Sequence, residues 1–264
     1  MINSIFLLIL IFFSFVSNSR ENKLISYQSE YEISLSESDN VRLPGKTYVD
    51  KASGQLFIDW INNCDDSWVS NQRMVTRFIN SHGVGTLSEI NYSLNEIADG
   101  SKMEYVLEVK ENAELVNRTI GIAEKGKNLE VSFPSSDKDT LKLDADVIFP
   151  HNFLEEIVRN MFGSKKMLSK KVYEGTIPDK FFNISVFFTD KILTESSEIL
   201  SKDITNNFKK IKMSYYQDNS QTPIFEQTVH LNEQGVASFF KYDYQDYSLD
   251  LKLKNISTVK LKCD

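Results

Sequence analysis

The stretch GQLFIDWINNCDDSWVSNQRMVTRF, Gly54 to Phe78, decides how the rest of the chain is read. Leu56, Ile58 and Trp60 share one parity, and on a strand residues of equal parity point to one face. The same parity leads on to Cys64. The one other cysteine is Cys263, the residue before the C-terminus. A Cys64–Cys263 disulfide closes a loop of about 200 residues and stabilises by about 5 kcal/mol at the upper limit of the chain-entropy model. Val259, Leu261 and Cys263 also share a parity, so both sulfurs are expected to face the interior. Two unrelated buried thiols are the alternative. The choice turns on compartment, because disulfides persist where the surroundings are oxidising.

The N-terminus bears on that question. Ile5 to Val16 is an almost continuous apolar run, shorter than the ~20 residues that a membrane helix needs. Ser17 and Ser19 put small residues where a signal peptidase reads, so residues 1–19 are expected to be a signal peptide with cleavage before Arg20. The run is preceded by no Lys or Arg, which leaves an uncleaved anchor as the alternative. No second apolar run is long enough to span a membrane. The expected product is periplasmic, with residues 20–264 forming a single domain.

The 264-residue chain carries a net charge of −7, with Lys scattered among Asp and Glu. A nucleic-acid partner would call for a clustered basic face, and none appears. Length alone permits one large domain or two small ones.

From Tyr27 the dominant period is two. Tyr31, Ile33 and Leu35 alternate with Glu32 and Ser34. Pro44-Gly45 marks a turn before the Gly54 strand, and Asn80 to Gly85 is read as a flexible break. Strands flank Asp99-Gly100, and the second is the clearest in the chain. There Met103, Tyr105, Leu107 and Val109 oppose Lys102, Glu104, Glu108 and Lys110. One apolar face per strand marks an antiparallel sheet that covers a core on one side. Further strands are predicted at Val116–Ile122 and Leu129–Phe133.

One segment breaks the rhythm. In FPHNFLEEIVRNMFG, Phe149 to Gly163, apolar residues recur at helical spacing. Pro150 or Asn152 can start a helix and Gly163 can end it. Strands resume at Lys171–Gly175, Phe181–Thr189, Asn207–Tyr216, Phe225–Leu231, Gly235–Tyr244, Tyr247–Leu253 and Ser257–Cys263. The Phe181 strand is apolar on both faces for part of its length and is expected to lie centrally. Glu195 to Asn206 reads as a mobile polar loop. The fold class is therefore mainly β: a large antiparallel many-stranded sheet with one helix near 150–163, a pattern that permits a half-barrel or the spiral that the resemblance below implies. A sandwich fits the same pattern.

These residues resemble the EipB-type cell-envelope integrity proteins of alphaproteobacteria, long known as a domain of unknown function. The resemblance runs from about Tyr27 to Asp264. YQSEYEISL looks like the family's first strand. GQLFIDW with Cys64-Asp65, Trp68 and Arg73 looks like its cysteine motif. FPHNFLEEIV, with Val172-Tyr173-Glu174-Gly175 downstream, looks like its helix and the strand after it. MSYYQD through Phe225-Glu226 and Gly235-Val236 looks like its late hairpin. YDYQDYSLDLKLKNISTVKLKC looks like its close. Extra lysines and the polar insertion near Glu195 depart from the pattern. The resemblance implies a periplasmic β-spiral with its two cysteines bridged. It also implies an envelope-maintenance role without catalysis.

The search for chemistry is otherwise negative. His82, His151 and His230 lie far apart without metal-ligand neighbours, and each reads as a surface or capping residue. No GxSxG elbow, HExxH pair or phosphate loop is present. Asp65 and Asp66 read as a solvated turn, and Trp60 and Trp68 as core aromatics. No catalytic residue, metal site or cofactor is expected. Expected partners are periplasmic proteins or envelope components, with a lipid ligand and a homodimer left open. Two functions follow. One is a non-enzymatic scaffold that binds protein or cell-wall partners. The other is a carrier that holds a lipid or other apolar molecule inside a curved sheet. A filled interior favours the first, and an open apolar cavity the second.

Overall fold

The structure, a computed structural model, describes residues 24–37, 47–134, 140–194, 198–217 and 220–261. The expected signal peptide, Pro44-Gly45 and Cys263 lie outside these. Eight strands precede the helix: β1 Tyr27–Leu35, β2 Val49–Asn62, β3 Ser67–Asn80, β4 Gly85–Ile97, β5 Lys102–Glu111, β6 Glu114–Lys125, β7 Leu129–Ser132 and β8 Leu141–Leu143. The helix α1 spans Pro150–Met161. Six strands follow: β9 Met167–Val172, β10 Phe182–Thr194, β11 Asn207–Gln217, β12 Phe225–Leu231, β13 Ala237–Asp243 and β14 Ser248–Thr258.

All fourteen strands form one sheet in the order β8-β7-β6-β5-β4-β3-β2-β1-β14-β13-β12-β11-β10-β9. Every adjacent pair within it is antiparallel. The sheet is two meanders joined where β1 meets β14. Residues 144–166, with α1 among them, connect its two edge strands. Near β9 the seam is partly stitched, because Ile148 forms a parallel bridge with Val172. The Ile148 amide donates to the Lys171 carbonyl, and the Tyr173 amide to that of Ile148.

Alternation produces the core as expected. On β5, Met103, Tyr105 and Leu107 are buried, and Glu104 is exposed. The helix buries Phe153, Ile157, Val158 and Met161 against residues of β9 to β13, each such burial contributing about 2 kcal/mol.

Several expectations are corrected. The strand predicted from Ser257 is not separate, because Lys254 and Asn255 continue β14 to Thr258 with only a register shift opposite Glu30/Tyr31, and residues 259–261 are not strand. The Phe181 strand is β10, second from an edge. Its outer residue Phe187 is exposed, so its run of apolar residues does not mean burial on both faces. The Glu195–Asn206 loop is not merely polar, because Leu200 and Ile204 are buried in the core beside Phe208. The Asn80–Gly85 break is a tight turn, its Asn80 side chain accepting from the amides of His82 and Val84. Cys64 is exposed in the turn after β2 ends at Asn62, so the parity of Trp60 does not carry to it.

Candidate functional site

Charged side chains are the exception in the interior, and three organise it: Glu96 on β4, Lys209 on β11 and Glu174 in the loop after β9. Two hold the helix. Phe149 supplies no side-chain cap at the start of α1, so the first-turn amides need acceptors from elsewhere. Glu96 of β4 provides them. Its two carboxylate oxygens accept from the amides of His151, at 2.7 Å, and Asn152, at 3.1 Å. Asn152 Nδ2 donates to the Ala98 carbonyl at 3.0 Å. At the other end Lys209 Nζ donates to the Met161 carbonyl. Acceptor oxygens at the N-terminus and a cation at the C-terminus both satisfy groups that the helix ends leave open, and the Lys209 charge complements the helix dipole.

His151 belongs to this assembly. It is 1% exposed and stacks on Trp68, with centroids 4.7 Å apart. Trp60 adds a third ring, 5.9 Å from Trp68. The two tryptophans are core aromatics, as expected. The reading of His151 as a surface or capping residue is corrected: its side chain is buried, because the helix N-terminus carries it inward, and its amide is the group that Glu96 caps. His82 is exposed and His230 packs against Phe239. Asp65 and Asp66 lie in the solvated turn, where Asp65 accepts from the amide and hydroxyl of Ser67. Among the described residues no group of three or more His, Cys, Asp and Glu could hold a metal ion.

The third charged group stands in a cavity. Between the two meanders lies an apolar space of about 480 Å³, within the size range of small-molecule sites. One wall carries Leu56, Met74, Ile90, Tyr92 and Leu107 from β2 to β5; the other carries Phe182, Tyr215, Phe225, Tyr242 and Tyr244. Phe225 is the hub of the second wall, with centroids 5.0–5.6 Å from the three tyrosines. The polar lining groups include Gln72, Gln227 and Thr176, and Glu174 is the sole lining residue of a charged type among the described residues.

The loop bearing Glu174 is fixed by tyrosines. Tyr92 donates to the Glu174 backbone carbonyl at 2.5 Å. The hydroxyls of Tyr105 and Tyr173 lie 2.9 Å apart, and Tyr173 donates to the Pro178 carbonyl. Gly175 follows with φ +72°, and a Cβ there would lie 2.5 Å from the Tyr105 ring. Only glycine fits both the left-handed backbone and the ring's approach. The carboxyl of Glu174 thus reaches the cavity from a rigid base. Burial pushes it up to about 7. Burial also pushes the hydroxyls of Tyr92 and Tyr215 well up, with the Glu174 charge the next cause.

Reasoning from sequence missed Glu96, Lys209 and Glu174 as organisers. A signal for both acids was present. Glu96 shares the parity of buried Tyr92 and Leu94, and Glu174 that of buried Leu168 and Val172. An acid at an apolar phase marks either a capping role or a site.

Comparison with known proteins agrees with this architecture. The EipB-like family model matches residues 19–260. The chain is 22% identical over 244 residues to the cell envelope integrity protein EipB of Brucella abortus (strain 2308), covering 88% of this chain and 83% of that one. It superposes on the crystal structure of a β-barrel-like protein of domain of unknown function DUF1849, also from Brucella abortus, with a TM-score of 0.82. That match is 19% identical and covers 91% of this chain and 100% of the other.

Proposed function

This chain belongs to the EipB-like family, and we propose that it supports cell-envelope integrity from the periplasm by holding an apolar ligand inside its wound sheet. The envelope role rests on the relative's name, cell envelope integrity protein EipB. The mode of action rests on one observation: the space between the meanders is an apolar cavity of about 480 Å³ rather than packed core. A scaffold that acts only through its outer surface has no need of such a space. The chain is read as a binding protein, not an enzyme.

Export and the Cys64–Cys263 bridge form part of this reading. Register supports the bridge. Tyr27 of β1 pairs with Trp60 on one side and with Thr258 on the other. Cys64 and Cys263 therefore follow, by four and five residues, points that flank one residue of β1. Strands two apart are separated by about 10 Å, a gap that short tails beyond the strand ends can close to disulfide distance. The bridge would tie β14 to β2 across β1. Cys64→Ser and Cys263→Ser are then expected to lower the melting temperature equally, with the double variant adding little. Two free thiols in natively exported protein would refute it.

The test of the ligand is native mass spectrometry of protein extracted from the periplasm, with Met74→Trp as a cavity-filling variant. The expected result is a mature chain starting near Arg20 with retained apolar mass, which the folded variant loses along with its ability to restore detergent tolerance to a deletion strain. A ligand-free wild type together with full complementation by the variant would overturn the carrier reading.

A further inference from the structure

The cavity has a chemistry more specific than apolarity. Trp60, Tyr92, Tyr215, Phe225, Tyr242 and Tyr244 give it an aromatic wall, and Glu174 supplies a single carboxyl. Among the described residues no Lys, Arg or His belongs to the lining, and none forms an ion pair or side-chain hydrogen bond with Glu174. Glu174 is only half-buried by exposure, because its open side faces the cavity. A carboxyl held away from bulk water without a partner is costly, and protein folds keep such groups where something else engages them. Ring faces attract cations through their quadrupole, more strongly when desolvated. Aromatic faces around one acid form a receptor for an organic cation.

Resting on the carrier reading, we propose that the cavity selects an amphiphile with an amine or ammonium group, the cation meeting Glu174 and the tyrosine rings while the apolar body lies against Leu56, Met74, Ile90 and Leu107. The volume suits one short chain or a small ring system, not a two-chain lipid. The tyrosines facing the carboxyl come from three strands: Tyr92 on β4, Tyr215 on β11 and Tyr242 on β13. All three hydroxyls are pushed up by burial, so they stay neutral and Glu174 supplies the charge. Beyond Tyr92, Glu96 is occupied by the helix.

The test compares three probes of one chain length on the mature protein: octyltrimethylammonium, octanol and octanoate, measured by calorimetry or by Trp60 fluorescence. At about pH 8 the ammonium is expected to bind at least about tenfold tighter than octanol, and octanoate weakest. Glu174→Gln, nearly the same shape, is expected to erase that order while leaving octanol unchanged. The charge of the quaternary probe does not titrate. Its affinity for wild type should therefore rise as pH increases through the neutral range, which tests the site even if the variant folds poorly. Equal binding of the three probes, or a preference that survives in folded Glu174→Gln, would overturn this inference and leave the carrier reading standing. Failure of every probe to bind would overturn both.

Discussion

Glu96, on β4, and Glu174, in the loop after β9, are two acids turned to the interior, and burial is the leading influence on both. Burial pushes Glu96 up to about 8 and Glu174 up to about 7. Their surroundings differ. Glu96 accepts two backbone amides at the start of α1. Glu174 has its backbone fixed by Tyr92 and its carboxyl turned to a cavity. The first arrangement satisfies groups that the fold would otherwise strand. The second leaves a group that the fold does not use. A buried charge whose partners are internal is structural, and one without them points outward to a ligand.

Removing each carboxyl is the strongest way to break this comparison. Glu96→Ala strands two amides in a buried setting, since Phe149 supplies no cap. Leaving such groups unpaired is expected to cost about 3 kcal/mol. At about pH 5, where Glu174 is protonated in the folded chain, Glu174→Ala is expected to change stability by less than about 1 kcal/mol in either direction. Urea unfolding of the two variants measures both. Equal losses would mean that Glu174 also holds the fold together.

A pH series sharpens the comparison with a smaller effect. Both acids are raised above the ordinary carboxylate range, so the folded chain keeps protons that the unfolded chain releases. Their contribution is full below about pH 4.5 and is lost as pH rises through about 7 for Glu174 and about 8 for Glu96. Stability is therefore expected to fall between about pH 5 and about pH 8. Glu174→Gln should remove about 2 kcal/mol of that fall, since Gln carries no proton to lose. A wild-type profile that is flat across this range would show that neither acid is buried as described.

Much of this molecule could be read before its structure. Strict alternation at Met103 to Val109 identified the half-covered strand, and helical spacing at Phe153 to Met161 identified α1. What failed was non-local. Nothing in Phe181 to Thr189 says that its neighbours are β9 and β11 near an edge, because strand order is set by which chain segments pair. Leu200 and Ile204 enter the core from a polar stretch, and three apolar residues in twelve carry no period. The cavity is less legible still. Its walls come from strands β2 to β5 and β10 to β13, which face each other only through the winding of the sheet, so no window of sequence contains it. Glu174 nevertheless shares the phase of Leu168 and Val172, and that one discord was visible.

The smallest expected effect concerns how rigidly the cavity acid is held. Tyr92 spans the interior from β4 to donate to the Glu174 backbone carbonyl at 2.5 Å. Tyr92→Phe keeps the ring, its packing and its contribution to the aromatic wall, and deletes only the donor. A buried carbonyl then loses its hydroxyl partner, at a cost of about 1 kcal/mol. If the loop is also held by the Tyr105–Tyr173 contact and the Tyr173–Pro178 bond, the fold should survive this loss. The consequence for the site differs from that of changing the acid itself. Glu174→Gln should abolish preference for the ammonium probe, whereas Tyr92→Phe should retain the preference and weaken affinity by a few-fold, because the carboxyl remains but its base is looser. Amide hydrogen exchange across residues 173–178 should quicken in the same variant. Unchanged exchange and unchanged affinity would show that Tyr92 is only a wall of the cavity, and that Gly175 and the Tyr105 ring suffice to set Glu174 in place.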